Sequence, residues 1–144
     1  VNIGRNELLV GVAILVVAVL IVVPIFVSSN RSSHLDEALQ NVEAIRQAEL
    51  QYSGAFGAYV SADAAPRATH TVDGNAVPWS ASEGFRKLSW APATETVFCS
   101  YQVQADKASF RVVGTCDMDS DGRRATIGAT ADEAAHVVSE AGVY

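Results

Sequence analysis

The sequence predicts an α+β fold: one long N-terminal α-helix followed by a small antiparallel β-sheet. Three observations lead there. An uncharged apolar run extends from Leu8 to Val27, an amphipathic helical stripe follows from Leu35 to Phe56, and two alternating segments, 97–103 and 110–116, read as a β-hairpin.

The apolar run comes first. As a helix, about twenty apolar residues are enough to cross the hydrocarbon core of a bilayer. Glu7 abuts the run, where a carboxylate without a partner is costly in lipid, so a partner is expected. Pro24 interrupts the helix by removing the hydrogen bond to the Leu20 carbonyl. Such a segment is either anchored in a membrane or packed in an assembly that mimics one. It is too long, and too bare of a small-residue cleavage site, for a removable secretory signal. Arg5 precedes the run and Arg31 follows it, so the positive-inside rule does not fix an orientation. One explanation for the missing basic flank is a short basic leader removed ahead of Val1.

A polar hinge, Ser28 to Ser33, leads into the second helical pattern. Leu35, Leu39, Val42, Ile45, Ala48, Tyr52 and Phe56 recur at three- and four-residue steps, with Asp36, Glu37, Gln40, Glu43 and Gln47 on the opposite face. Gly54 and Gly57 are stop signals. With the hinge read as helical, the chain begins as one helix of about fifty residues, apolar all round and then on one stripe only. The organisation is therefore 1–27 as the apolar helix and 28–144 as its second half plus a globular head.

From Tyr59 to Ser82 the composition is rich in Ala, Pro, Gly and Thr without a period, which predicts a long loop with a short element around His70 to Val72. A helical turn is expected over Ser82 to Leu88. In 97–103 the odd positions are apolar or Cys, and in 110–116 the even ones are. Pairing these strands around the loop Asp106 to Ser109 sets Ala105 opposite Phe110, Val103 opposite Val112, Tyr101 opposite Gly114 and Cys99 opposite Cys116. The apolar pairs then share one face and the cysteines meet, predicting a disulfide in an oxidising compartment. A third strand is expected over Arg124 to Thr130. Thr130 and Glu133 look like a capping box, but Val137, Val138, Val143 and Tyr144 favour an extended tail.

Composition narrows the function. The formal net charge of −6 and scattered basic residues argue against nucleic-acid binding. Haem, zinc, phosphate-loop and nucleophile-elbow motifs are missing, and no acid, base and nucleophile converge in the pattern, so an enzyme is not expected. Asp117, Asp119 and Asp121 with Gly122 match the first half of a calcium loop, although Gly128 stands where a bidentate Glu would close an EF-hand. The competing reading is an acidic turn neutralised by Arg123 and Arg124, with no cofactor at all. His34, His70 and His136 lie in separate elements and are expected in solvent, while Trp79 and Trp90 are expected as core or loop anchors.

The stretch Glu7-Leu8-Leu9-Val10-Gly11-Val12-Ala13-Ile14-Leu15, with Pro24 seventeen residues after Glu7, resembles the start of mature type IV pilins and pseudopilins. So does Asn41 to Glu49, similar to the second half of the long pilin helix. Phe85-x-x-Leu88-x-Trp90-x-Pro92 running into a Tyr-bearing strand, and the Asp-rich stretch Asp117 to Gly122, are similar to short pilins of δ-proteobacterial type. The resemblance implies a ladle-shaped subunit, with the sheet packed on the second half of the helix. It waits in the inner membrane with its head in the periplasm, then meets the inner-membrane assembly machinery. It polymerises with copies of itself into an extracellular filament, of the kind used in motility and cell adhesion. Glu7 is the residue matching the family's acid, which pairs with the N-terminal amine of a neighbour.

Two departures shape that expectation. The family usually begins with Phe four residues before the acid, whereas Val1 lies six residues before Glu7. Arg5 and Asn6 also replace residues that are commonly apolar, and Val16 replaces a frequent Gly. Arg5 of one subunit is therefore expected to supply positive charge to Glu7 of another, since two residues apart on one helix they do not face each other. A major pilin is the preferred expectation. A secretion-system pseudopilin or minor pilin is the alternative, and a single-pass anchored periplasmic binding module using Tyr59 to Ser82 is the further one.

Overall fold

The computed structural model describes residues 34–140, and these form an α+β arrangement of an amphipathic helix, a shorter helix and two antiparallel sheets. Helix α1 runs over 34–56 and ends where the Gly57 N–H donates to the Ser53 carbonyl at 2.8 Å. Strand β1 (Ala62–Ala65), a 3-10 turn (Thr69–Thr71) and β2 (Val77–Pro78) follow, then helix α2 (Glu83–Lys87). The remaining strands are β3 (Thr96–Val97), β4 (Ser100–Ala105), β5 (Phe110–Cys116), β6 (Ala125–Thr130) and β7 (His136–Val137). The larger sheet has the order β1-β4-β5-β6-β7, and β2 pairs with β3.

The β4–β5 hairpin has the expected register: Ala105 faces Phe110, Val103 faces Val112 and Tyr101 faces Gly114. Its loop is held by the Asp106 carboxylate, which accepts the N–H groups of Ala108 (2.7 Å) and Ser109 (2.8 Å). One sheet face, carrying Tyr101, Val103, Phe110, Val112, Cys116, Ala125, Ile127 and Ala129, is buried, as the two-residue period of a strand requires.

Helix α1 covers that face. Ala38, Val42 and Ile45 are fully buried in one cluster with the sheet residues. Close approach is possible because Gly114 has no side chain; a Cβ there would stand 2.9 Å from Val42 Cγ2. Asn41 Nδ2 donates to the Tyr101 hydroxyl at 3.0 Å, so a polar residue sits within the seam with a partner. Burial raises the Tyr101 pKa, and the phenol is neutral at any ordinary pH.

Several expectations are corrected here. The apolar stripe of α1 is rotated: Phe56 is 70% exposed, while Ala38, Asn41 and Glu49 are buried. Glu43, expected in solvent, is half-buried because the chain returns over it after β6. Its Oε2 accepts the Ala135 N–H at 3.0 Å, and its Oε1 meets Arg46 at 2.9 Å. Arg46 in turn donates to the carbonyls of Thr130 (2.7 Å) and Ala131 (2.9 Å). The segment expected as a loop from Tyr59 to Ser82 contributes β1 as a sheet edge, with Ala62 opposite Val103 and Ala65 opposite Tyr101. The strand expected over 97–103 is two strands: Val97 pairs with Val77, and the main sheet begins at Ser100. The third strand lies within its expected bounds, and the extended tail includes β7 rather than a helix. Thr130 and Glu133 bond each other across a turn, Glu133 N–H to Thr130 Oγ1 at 3.1 Å, without opening a helix. His34 stacks on Phe98, ring centroids 3.8 Å apart, whereas His70 and His136 are exposed as expected.

Helix α2 is pressed against β1. A Cβ on Gly84 would overlap the Ser61 carbonyl and the Ala62 backbone, neither of which can turn aside. A Gly84→Ala variant should therefore lose about 1–3 kcal/mol to overpacking, although alanine is the better helix former by about 1 kcal/mol. Chemical denaturation should show a lower midpoint than wild type.

Candidate functional site

Among the described residues, the fold concentrates its chemistry at the end of the sheet where β5 passes into β6. Cys99 and Cys116 are joined there, with Cα atoms 4.4 Å apart. They occupy the next opposed position beyond the Ser100–Thr115 pair, and the Cα separation is that of a non-hydrogen-bonded antiparallel pair. Both are buried.

Asp117 directly follows the disulfide and opens the loop to β6. It is 3% exposed, and its Oδ2 accepts the Gly122 N–H at 3.1 Å. Asp121 Oδ1 accepts the Arg123 N–H at 2.7 Å, closing a tight turn. Carboxylate oxygens of Asp117, Asp119 and Asp121 all lie within 4.8 Å of one another. The structure thus brings together the three residues singled out from spacing. The Arg124 guanidinium donates to the carbonyls of Val72 (3.0 Å) and His70 (2.9 Å).

A second constellation gathers around the Tyr101 ring from Trp79, Phe85 and Trp90. Phe85 and Leu88 are buried one helical turn apart, and Trp90 returns over them, its N–H donating to the Phe85 carbonyl at 3.1 Å. Trp79 meets Trp90 edge-on at 5.2 Å, and Trp90 meets Tyr101 at 5.9 Å. These tryptophans are anchors, as expected, and the Phe85-x-x-Leu88-x-Trp90 spacing is what folds them onto the Tyr-bearing strand.

Glu49 was not foreseen. It lies on α1 with no exposed surface; its Oε2 accepts the Val60 N–H at 3.0 Å and its Oε1 is buried without a hydrogen-bond partner. Burial pushes its carboxyl above the usual range, only partly offset by the Val60 bond. A carboxylate within an apolar period gives no sequence signal of burial.

Arg5, Glu7 and Pro24, the expected assembly residues, and the apolar run itself lie outside the described residues. No helix among the described residues is long and apolar enough to cross a membrane. Comparison with protein-family models, curated proteins and solved structures finds no match.

Two outcomes follow from this geometry. Replacing Cys99 and Cys116 together by alanine should cost about 3 kcal/mol, because a crosslink over a loop of this size restricts the unfolded chain. The check is a denaturation midpoint compared with wild type under oxidising conditions. For Glu49 the folded pKa is raised, so its contribution is most favourable below the unfolded carboxyl pKa of about 4.3 and is lost as pH rises through the folded value. Glu49→Gln should remove that loss: melting temperatures of wild type and variant, compared between acidic and neutral pH, should shift in the variant's favour as pH rises.

Proposed function

We propose that this protein is a structural subunit of type IV pilin kind, a major pilin that polymerises through its apolar N-terminal helix into an extracellular filament. The observation that carries the proposal is the sequence arrangement of Glu7, the uncharged run from Leu8 to Val27, and Pro24, leading into a helix that carries a sheet. In this reading helix α1 and the sheet packed on it are the head of the subunit. The seam of Val42 against Gly114 and the Arg46 bonds to Thr130 and Ala131 support it, since they bind helix and sheet into one unit.

The physics of assembly favours a head-to-tail polymer. Apolar helices in lipid gain little hydrophobic energy from meeting each other, because lipid tails are already apolar. Once drawn out of the membrane, the same helices are held together by exclusion of water. A contact between two different surfaces propagates as an open helix when its rotation does not close into a ring. Glu7 sets the register. A charged group within lipid costs about 2.5–3.5 kcal/mol on insertion scales, and pairing with a positive group of the neighbour, Arg5 or an N-terminal amine, relieves it.

The anchored-module alternative relies on Tyr59 to Ser82 as a ligand surface. That segment contributes β1 to the sheet, and within it Arg67 donates to Asp73 and the Asn75 carbonyl and reaches the Phe98 carbonyl. A pseudopilin or minor pilin uses the same physics and differs in abundance.

Material sheared from the surface of cells making the chain should contain filaments built mainly from it. Glu7→Gln should reduce the sheared yield at least roughly tenfold, the order expected for loss of a buried charge pair, with the melting temperature of the head unchanged. Arg5→Ala should reduce it as well. Wild-type filament yield from both variants would remove the charge-pairing step.

A further inference from the structure

The loop between β5 and β6 carries more than turn chemistry. Asp117 is almost wholly buried, yet its Oδ1 has no hydrogen-bond partner. A buried polar atom left unmatched costs free energy unless something outside the hydrogen-bond network meets it. That side chain belongs to the group in which oxygens of Asp117, Asp119 and Asp121 lie within 4.8 Å of one another.

We propose that the 117–122 loop is a divalent-cation site of the calcium class, with Asp117 as its buried ligand and Asp119 and Asp121 completing the carboxylate set. All the donors are oxygens, which suits a hard cation. Ligands at about 2.3–2.6 Å from calcium place opposed oxygens roughly 4.6–5.2 Å apart, whereas magnesium draws them closer and demands stricter geometry. The oxygens lie close enough together for one such ion to meet all three. The loop is also where the cation has something to fasten. Asp117 follows the disulfide, and Gly74 packs so closely that a Cβ there would meet the Asp117 carbonyl at 2.8 Å and overlap Ser120 Oγ. Arg124 bonds the same segment at His70 and Val72. A bound ion would therefore brace the β5–β6 connection against which the 70–75 segment packs.

The test uses the full chain in detergent and does not depend on filament formation. Calorimetric titration with calcium chloride should give one ion per chain, with magnesium chloride binding at least tenfold more weakly. Calcium should raise the melting temperature by roughly 5 °C or more at saturation relative to chelator. Asp117→Asn should weaken calcium binding at least tenfold. Asp121→Asn, at an exposed position that does not endanger folding, should weaken it measurably and shrink the thermal shift. No calcium binding to wild type, or binding by the folded Asp121→Asn variant equal to wild type, would overturn the site.

Discussion

The structure depends on the close meeting of α1 with one face of the five-stranded sheet. Val42 lies over Gly114, Ala38 and Ile45 extend the contact along the helix, and Asn41 reaches the Tyr101 hydroxyl. Fully burying a Val or Ile side chain contributes about 1.5–3 kcal/mol, and the seam is dry enough that its polar members need partners. Tyr101 links the parts of the arrangement, since its hydroxyl meets Asn41 of α1 and its ring meets Trp79 and Trp90. Helix, sheet and α2 therefore form one body.

The polar face of α1 adds a second set of restraints. Arg46 and Glu43 hold the chain after β6 through backbone groups of Thr130, Ala131 and Ala135. Exposed ion pairs contribute little, but these are half-buried and reach main-chain atoms, so they direct the path of the chain as well as stabilising it. The result is a helix held both by the sheet and by the chain that follows β6.

Much of this was legible in the sequence, for identifiable reasons. The β4–β5 hairpin was readable because Tyr101, Val103, Phe110 and Val112 alternate cleanly, and because Asp106 supplies the turn. Its register carried the disulfide with it. Strand β1 was hidden because Ala62 to Ala65 has low strand propensity and a bulge that buries Ala62 and Ala65 together, which breaks the two-residue period. The break after Val97 was invisible because its partner Val77 lies in a stretch with no pattern of its own. Phe56 followed the helical period but falls beyond the sheet's reach, whereas Glu49 and Asn41 are core residues of polar type. The acidic loop was identified by spacing alone, and the buried oxygen of Asp117 is what distinguishes it from an ordinary turn. The apolar run and its Glu7 lie outside the described residues, and the reading of assembly depends on their sequence.

The central functional claim is that the run from Leu8 to Val27 exchanges lipid for copies of itself. Helical reconstruction by electron cryomicroscopy of surface material from cells producing the full chain tests it most directly. The expected map has the apolar segments bundled along the filament axis, Glu7 beside a positive group of the adjacent subunit, and the α1–sheet heads outside. Finding the chain only as separate molecules in the membrane fraction, with no filament containing it, would contradict the account.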